Sequence, residues 1–566
     1  MSVLQKIKKC DDIKTLGIDE LGKLSDEVRE KIISVTKMRG GHLASSLGAV
    51  DFIVALAFCF DFLHDKVLFD VGHQAYAYKI LTDRKDNFDS LRTFSGLSGF
   101  PCIFESKYDK FSSGHAGDCL GASLGYCFSR DLNGNDEFVI AVIGDGAFLN
   151  GETLEALFYS AEKPDKLLVI LNDNGMSISK NSSGLFGNEY TETSASLKSV
   201  VNFEKLGFDY KGPIDGHDLS LLVKAFNDFK LSRKPTLLHI KTQKGKGYAP
   251  AEAEKEYYHG VSKDYLSQNN DFSDAIGDVL LKQAENNDKI VVIVAGMSFG
   301  TGTDVFKKRF PERFIDVGIC EDLAVTVASS CALSGLRPIV VIYSTFLQRA
   351  YDQIVTNVCM QKLPVVFLID RAGVVGADGQ THQGTYDISY LSHIPGMRLF
   401  APKNPSELND MLQIALKDDS GYPVAVRYPN GTIDSFVTKT RFTPDNLWEV
   451  YKEGNGKCIF AVGPVALKIA IEASKNTDAC VVNARCVKPL DIKTIKRFEN
   501  RDIITVEDNV KYGGFGSIIA TYLSEIGYKN KLKIFAIDDE FIPQGTKKEQ
   551  LDFCNLTADN IKKELI

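Results

Sequence analysis

The chain has 566 residues, 44% of them hydrophobic and 25% charged: too long for one hydrophobic core, and ordinary for a folded, water-facing protein. A net charge of −8 and a pI of about 5.7 exclude non-specific nucleic-acid binding as its main work, while leaving room for a local basic pocket. The twelve cysteines are scattered with no Cys-x-x-Cys pair, the pattern of buried free thiols in a reducing compartment. The first segment, MSVLQKIKKCDDIKTL, has no sustained apolar stretch, so no secretory signal is expected. The longest apolar run, 52–60, is far too short for a membrane span, and a cytoplasmic protein without membrane contact is the expectation.

In chain order, short apolar runs recur: FVIAVI (138–143), LLVIL (167–171), TLLHI (236–240), IVVIVA (290–295), PIVVIY (338–343), PVVFLI (364–369), KCIFAV (457–462) and DIITVE (502–507). Continuous rather than alternating hydrophobicity predicts strands buried on both faces of parallel sheets. Helix-like segments between them predict doubly wound α/β layers. Polar seams at 266–278 and 427–442 divide the chain into three α/β blocks, 1–268, 269–431 and 432–566.

Two of these runs end in chemistry. FVIAVI closes on Gly144-Asp145-Gly146, and LLVIL on Asn172-Asp173-Asn174. Open α/β sheets bind ligands at such carboxyl ends. Asp145 and Asn174 can each offer one hard oxygen, and the Met176 carbonyl a third, which suits a magnesium ion that also holds phosphate oxygens. The glycines let the backbone approach a phosphate closely. This segment points to thiamine diphosphate.

Histidines form the second signal. Most of the nine stand beside glycine in loops, among them His42, His73, His115, His217 and His259, and His382 lies two residues before Gly384. Glycine lets a ligand approach while the ring handles protons. None has the helical spacing of a zinc site. The third signal is PVVFLIDRAGVVGADGQTHQG, where Arg371 follows a strand and Asp378 and His382 lie in a glycine-rich loop. Tyr343 ends the strand before it, Phe346 follows, and Arg427 sits in AVRYPNG; Arg371 and Arg427 could grip a phosphate bidentately. Glu321 opens an apolar helix, where it either complements the helix dipole or faces a cofactor nitrogen. Lys244 and Lys246, in TQKGKGYAP, are candidate phosphate contacts.

Together these motifs make the chain resemble the 1-deoxy-D-xylulose-5-phosphate synthase family, thiamine-diphosphate enzymes related to transketolase. The resemblance runs nearly the whole length. It rests on GHLASSLGAVDFIVAL, DVGHQAYAYKILTDR, GDGAFLNGETLEAL, LNDNGMSIS, GPIDGHD, KGKGYAPAE, IYSTFLQRAYDQ, DRAGVVGADGQTHQG and RYPNG. It implies a diphosphate-binding domain (1–268), a pyrimidine-binding domain (269–431) and a transketolase C-terminal-like domain (432–566). It implies that Asp145, Asn174 and the Met176 carbonyl hold magnesium. His73, Gly114, His115, Ala116, Gly146, Ala147, Lys244 and Tyr248 would contact the cofactor. Glu321 would hydrogen-bond the aminopyrimidine, with Phe346 stacked on it. Tyr343, Arg371 and Arg427 would hold the acceptor phosphate. His42, Arg92, His259, Asp378 and His382 would line the reaction centre. The implied reaction joins pyruvate to D-glyceraldehyde 3-phosphate with release of CO₂, in a cytoplasmic homodimer whose active site lies between the first two domains of one chain. A transketolase-like enzyme with other substrates, or a silent cofactor-binding relative, are the alternatives.

The chain departs from the family pattern in places. GHAGDCLG replaces a hydroxyl-rich run, so that residues 116–120 bring in Asp118. Asp322 and Leu323 follow Glu321 where Gln-His is usual, Asn430 stands where arginine is frequent, and the stretch after Ser179 is short.

Overall fold

The protein, described here from a computed structural model, is laid out over residues 2–160, 165–176, 202–261, 272–417, 421–431 and 434–566. It forms two units. The first comprises Met1–Ser267 with Gly318–Cys320, and the second Gln268–Val317 with Glu321–Ile566. The expected seam at 266–278 falls partly outside the described residues, as does most of the shortened stretch after Ser179.

The first unit is built on a five-stranded sheet in which every pairing is parallel: β1 (Lys66–Phe69), β2 (Val139–Gly144), β3 (Leu167–Asp173), β4 (Asp209–Asp215) and β5 (Thr236–Lys241), in the order β1-β2-β3-β5-β4. The central strand β3 is buried from end to end, which is why LLVIL carries no alternation. Helices cover both faces. The helix Ile18–Arg39 sends Leu21, Leu24, Val28, Ile32 and Val35 into the core at helical spacing.

The second unit holds two sheets. One contains β6 (Ile290–Val294), β7 (Phe314–Asp316), β8 (Arg337–Tyr343), β9 (Val366–Asp370), β10 (Arg398–Phe400), β11 (Val424–Arg427) and β15 (Cys486–Lys488), in the order β15-β10-β11-β9-β8-β6-β7. Only the β10–β15 pair is antiparallel. The other contains β12 (Glu449–Lys452), β13 (Cys458–Ala461), β14 (Cys480–Asn483), β16 (Ile503–Val510) and β17 (Leu532–Ile537), in the order β12-β14-β13-β16-β17. One hydrophobic core runs through both sheets, from Phe272 to Leu523. The strand β15 comes from the third block of the sequence yet completes the sheet of the second. All twelve cysteines are free. Among the described residues no helix is long and apolar enough to cross a membrane.

Candidate active site

In the first unit the carboxyl ends of β1, β2, β3 and β5 converge. Asp145 is the first residue after β2 and begins a short buried turn with Gly146, Ala147 and Phe148. Burial, followed by the neighbouring Asp173 carboxylate, pushes Asp145 up to about 8, with Lys244 pulling the other way. Lys244 follows β5 and is itself pushed down to about 8 by burial, against the pull of Asp145. Each charge is held where water cannot solvate it. Such a pair is relieved by ligands of opposite sign, a cation at Asp145 and an anion at Lys244. Among the described residues, the buried polar atoms His73 Nδ1 and Gln74 Nε2 have no hydrogen-bond partner, a further mark of a cradle shaped for something polar. The residues therefore fit a metal–diphosphate group.

Asn172 and Asp173, the last two residues of β3, are held by neighbours that carry no sequence motif. Asp173 meets His239 Nε2 at 2.8 Å, and Tyr210 Oη meets His239 Nδ1 at 2.9 Å. Thr242 donates to Asn172 Oδ1 (2.6 Å), whose amide donates to Gln74 (2.7 Å). The loop beside Lys244 is fixed by His217. Its Nε2 accepts the Gln243 N–H at 2.8 Å, so the proton is on Nδ1, 2.8 Å from Asp51. Arg29 completes this buried pair with Asp51. Asn174 is half-buried, and its Oδ1 accepts the Met176 N–H at 3.2 Å, folding the carboxamide over its own turn.

Three glycine-flanked histidines meet from distant parts of the chain. The ring centroids of His42, His73 and His259 lie 6.0, 5.8 and 5.5 Å apart, and Phe100 stands 5.2 Å from His42. Burial, followed by Lys244, pushes His73 down to about 3, and burial holds His259 well below its ordinary value. Both rings are therefore neutral. Ser45 Oγ is 3.3 Å from His259 Nδ1. The loop Gly114–His115–Ala116 leads into the helix Asp118–Asn133, with Gly117 at φ 101° as its cap. Asp70, buried just after β1, anchors that loop by accepting the N–H of Gly117 (3.0 Å) and Cys119 (3.4 Å). The strand-end signature that marks Asp145 also marks Asp70, at the close of VLFD. Tyr248 is half-buried, with Lys37 over its ring. Arg92 is half-buried with φ 63°, a conformation costly for a side chain with a Cβ.

In the second unit an aromatic ladder stands at the ends of β8 and β9. The Arg371 guanidinium lies 3.8 Å from the Tyr343 ring centroid. Tyr343 stacks on Phe346 at 5.6 Å and 12°, and His382 meets Phe346 edge-on at 5.6 Å. Arg371 also has positive φ, 58°, and donates to Asp370 (2.7 Å) and to the Gly300 carbonyl (3.0 Å). A Cβ on Gly300 would come within 2.1 Å of the Tyr343 hydroxyl, so only glycine lets that ring stand there. Asp378 is half-buried in the following loop, and its charge favours the cationic form of Arg371. Glu321 opens the helix Glu321–Leu333 and is 3% exposed. Burial pushes its carboxyl up to about 7, partly offset by its own backbone N–H and by Arg349.

Arg427, expected at a phosphate, faces two carboxylates instead. It is 3% exposed and donates to Asp387 (2.8 Å) and to Asp508 on β16 (3.1 Å), while its buried Nη2 has no partner among the described residues. Burial opposes the guanidinium charge, the two acids outweigh it, and the pKa is raised. Sequence alone does not reveal these partners, which lie far along the chain. Arg427→Met is expected to destabilise the fold by about 3–5 kcal/mol, because two buried carboxylates lose their counter-charge; urea unfolding measures this. Among the described residues no cluster of three His, Cys, Asp or Glu side chains forms a metal site. The expected magnesium set, with one carboxylate, needs none.

Comparison with known proteins follows the same lines. Residues 4–196 and 188–242 match the family model described as 1-deoxy-D-xylulose-5-phosphate synthase. Residues 268–434 match "Transketolase, pyrimidine binding domain", and residues 447–561 match "Transketolase, C-terminal domain". The 1-deoxy-D-xylulose-5-phosphate synthase of Clostridium acetobutylicum is 41% identical over 616 residues, covering 100% of this chain and 99% of that one. That of Thermus thermophilus is 41% identical over 619 residues, covering 100% and 98%. Among solved structures, a transketolase from Campylobacter jejuni is 19% identical with a TM-score of 0.46, covering 97% of this chain and 99% of that chain.

Proposed function

The chain belongs to the 1-deoxy-D-xylulose-5-phosphate synthase family, and from that premise we propose which of its residues carry the reaction. The protein is a thiamine-diphosphate-dependent transferase of the transketolase type. It decarboxylates pyruvate and joins the two-carbon unit to D-glyceraldehyde 3-phosphate, giving 1-deoxy-D-xylulose 5-phosphate and CO₂, at the head of the non-mevalonate isoprenoid route and of thiamine and pyridoxal synthesis. The observation that carries this is the 41% identity to curated synthases along the whole chain. Bound thiamine diphosphate supplies a nucleophilic carbon and an electron sink for decarboxylation.

The chain's own residues bind, orient and hold protons. Asp145, Asn174 and the Met176 carbonyl hold magnesium; the cost of burying Asp145 beside Asp173 supports a cation there. Lys244, His115 and the backbone of Gly114, Ala116, Gly146 and Ala147 receive the diphosphate. His73 and Tyr248 contact the rest of the cofactor. Glu321 keeps a proton on its carboxyl near neutral pH, which suits a hydrogen bond to a ring nitrogen of the aminopyrimidine, and Phe346 offers that ring a stacking face. His42, His259, His382, Asp378 and Arg92 hold the pyruvate carboxylate and move protons at the reacting carbons. Tyr343 and Arg371 face the acceptor. Residues 1–268, 269–431 and 432–566 form the diphosphate-binding, pyrimidine-binding and C-terminal domains.

The same reading makes the protein a cytoplasmic homodimer. Exposed Phe128, Leu132, Phe158 and Tyr159 on the helices Asp118–Asn133 and Gly151–Ser160 support self-association. Sedimentation equilibrium is expected to give twice the chain mass of 62.5 kDa. To test the activity, the purified protein is incubated with pyruvate, D-glyceraldehyde 3-phosphate, magnesium and thiamine diphosphate, and CO₂ and product are followed by NMR. Absence of turnover with the cofactor demonstrably bound overturns the reading.

A further inference from the structure

His217, in GPIDGHD, is one of the glycine-flanked histidines, yet no step of the reaction uses it. It lies in the turn after β4, two residues beyond Asp215, whose carboxylate accepts the His217 backbone N–H at 2.8 Å. Its ring reaches across to the turn after β5. There Nε2 accepts the Gln243 N–H, which leaves the ring proton on Nδ1, facing Asp51 of the helix Val50–Cys59. A backbone amide can only donate, so the fold itself dictates this tautomer. Burial opposes the Asp51 charge, but the His217 hydrogen bond and the Arg29 guanidinium outweigh it and hold the carboxyl below its ordinary value. Asp51 is therefore a steady acceptor that keeps the imidazole from turning over.

Gln243 is the residue before Lys244, and the turn 243–247 is fitted closely to its neighbours. The Gly245 N–H donates to the Ala44 carbonyl at 2.8 Å, and the Gly247 N–H to the Glu252 carboxylate at 2.8 Å. A Cβ on Gly48 would come within 2.9 Å of the Gln243 carbonyl oxygen, and one on Gly247 within 3.0 Å of Arg29 Cδ. Arg29 thus pairs with Asp51 and also packs on the far end of the turn. Lys-Gly-Lys-Gly is therefore a packed turn and not a solvated loop. It sits on the helix Leu43–Gly48, which also reaches the histidine cluster: the Ser46 hydroxyl donates to the His73 carbonyl at 3.0 Å, and Ser45 stands beside His259. Lys244 is 2% exposed, so its side chain has little room to correct a displaced backbone. Where the turn sits decides where the ammonium sits.

We propose that His217 is a positioning residue for cofactor capture: the chain Arg29–Asp51–His217 fixes the Gln243 backbone, and through it the Lys244 ammonium that receives the diphosphate. The proposal rests on the synthase reading, which gives Lys244 that role. The test titrates thiamine diphosphate with magnesium into the cofactor-free full chain, by calorimetry. His217→Asn still reaches Asp51 but falls short of the Gln243 N–H, whereas His217→Gln can meet both. His217→Asn is expected to bind about tenfold more weakly, the loss of one hydrogen bond, and His217→Gln within about threefold of wild type. Asp51→Asn is an independent arm with the imidazole in place. An amide that donates to Nδ1 moves the ring proton to Nε2, against the Gln243 N–H, and a loss of about tenfold is again expected. In a Lys244→Met background His217→Asn should cost less than about twofold, because the group it positions is gone. Unchanged affinity in His217→Asn, or in Asp51→Asn should the first variant not fold, overturns the proposal. So does an equal loss in His217→Gln, or the full loss in the Lys244→Met background, since each gives the position a general structural role. A wild type that binds no thiamine diphosphate overturns the proposal together with the synthase reading. One that binds the cofactor but releases no CO₂ from pyruvate defeats that reading alone, and the affinities still decide on His217.

Discussion

Replacing Glu321 with glutamine is expected to lower kcat by about 10²- to 10⁴-fold, the range lost with a positioned acid–base group, and at the same time to stabilise the protein above pH 7. The two effects have one origin. Burial lifts the Glu321 carboxyl from an ordinary 4.5 to about 7. Between those values the folded chain binds a proton that the unfolded chain does not. The contribution of Glu321 to stability is therefore complete below pH 4.5 and is lost as pH rises through 7. Glutamine carries no charge to bury and escapes that loss. Unfolding temperatures measured from about pH 5 to about pH 9 should show the wild type falling away from the variant on the alkaline side. Parallel curves would mean that Glu321 is not the buried proton holder. A variant with full kcat would remove it from the chemistry. Arg349, which opposes the upward shift, is a ready control: its removal should move the alkaline limb of the wild type further up.

Asp145→Asn is expected to weaken magnesium-dependent binding of thiamine diphosphate by at least about 100-fold, more than is usual for a residue that only supports a metal ligand. It should also raise the unfolding temperature of the cofactor-free protein. Burial beside the Asp173 carboxylate makes Asp145 costly to ionise, and the fold bears that cost until a cation joins them. The amide removes that cost and the metal site with it. The wild type should gain many degrees on adding magnesium and cofactor, and the variant almost none. Calorimetric titration and thermal unfolding, each with and without cofactor, check both halves. Retained affinity within about threefold would transfer the metal to other oxygens.

The eight apolar runs were legible as strands because their residues face protein on both sides, leaving no polar alternation to obscure them. FVIAVI, LLVIL and PIVVIY all fall on buried strands. Strands of three residues, such as Arg398–Phe400 and Cys486–Lys488, offer too few positions for any period to register. The polar strand DYKGPID lies at a sheet edge, where half its side chains meet water. The candidate residues were legible one by one but not in company. Glycine beside histidine marks His42, His73 and His259 singly; that the three rings meet is a property of topology. Arg427 shows the limit most plainly. An arginine at a strand end reads as an anion grip, and only the fold reveals that Asp387 and Asp508 reach it first. Residues such as Asp70 and Gln550 act through backbone groups, which leave no trace in side-chain motifs.

The strand Cys486–Lys488 has a consequence for how this chain comes into being. It covers the outer edge of Arg398–Phe400, and the ribosome delivers it only after the whole of the second block and much of the third have emerged. Until then the nascent sheet presents bare N–H and C=O groups, a template on which another chain can pair. A gene divided at the linker near residue 431 would make that exposure permanent in one of its two products. For this protein the seam visible in the sequence is a poor place to cut.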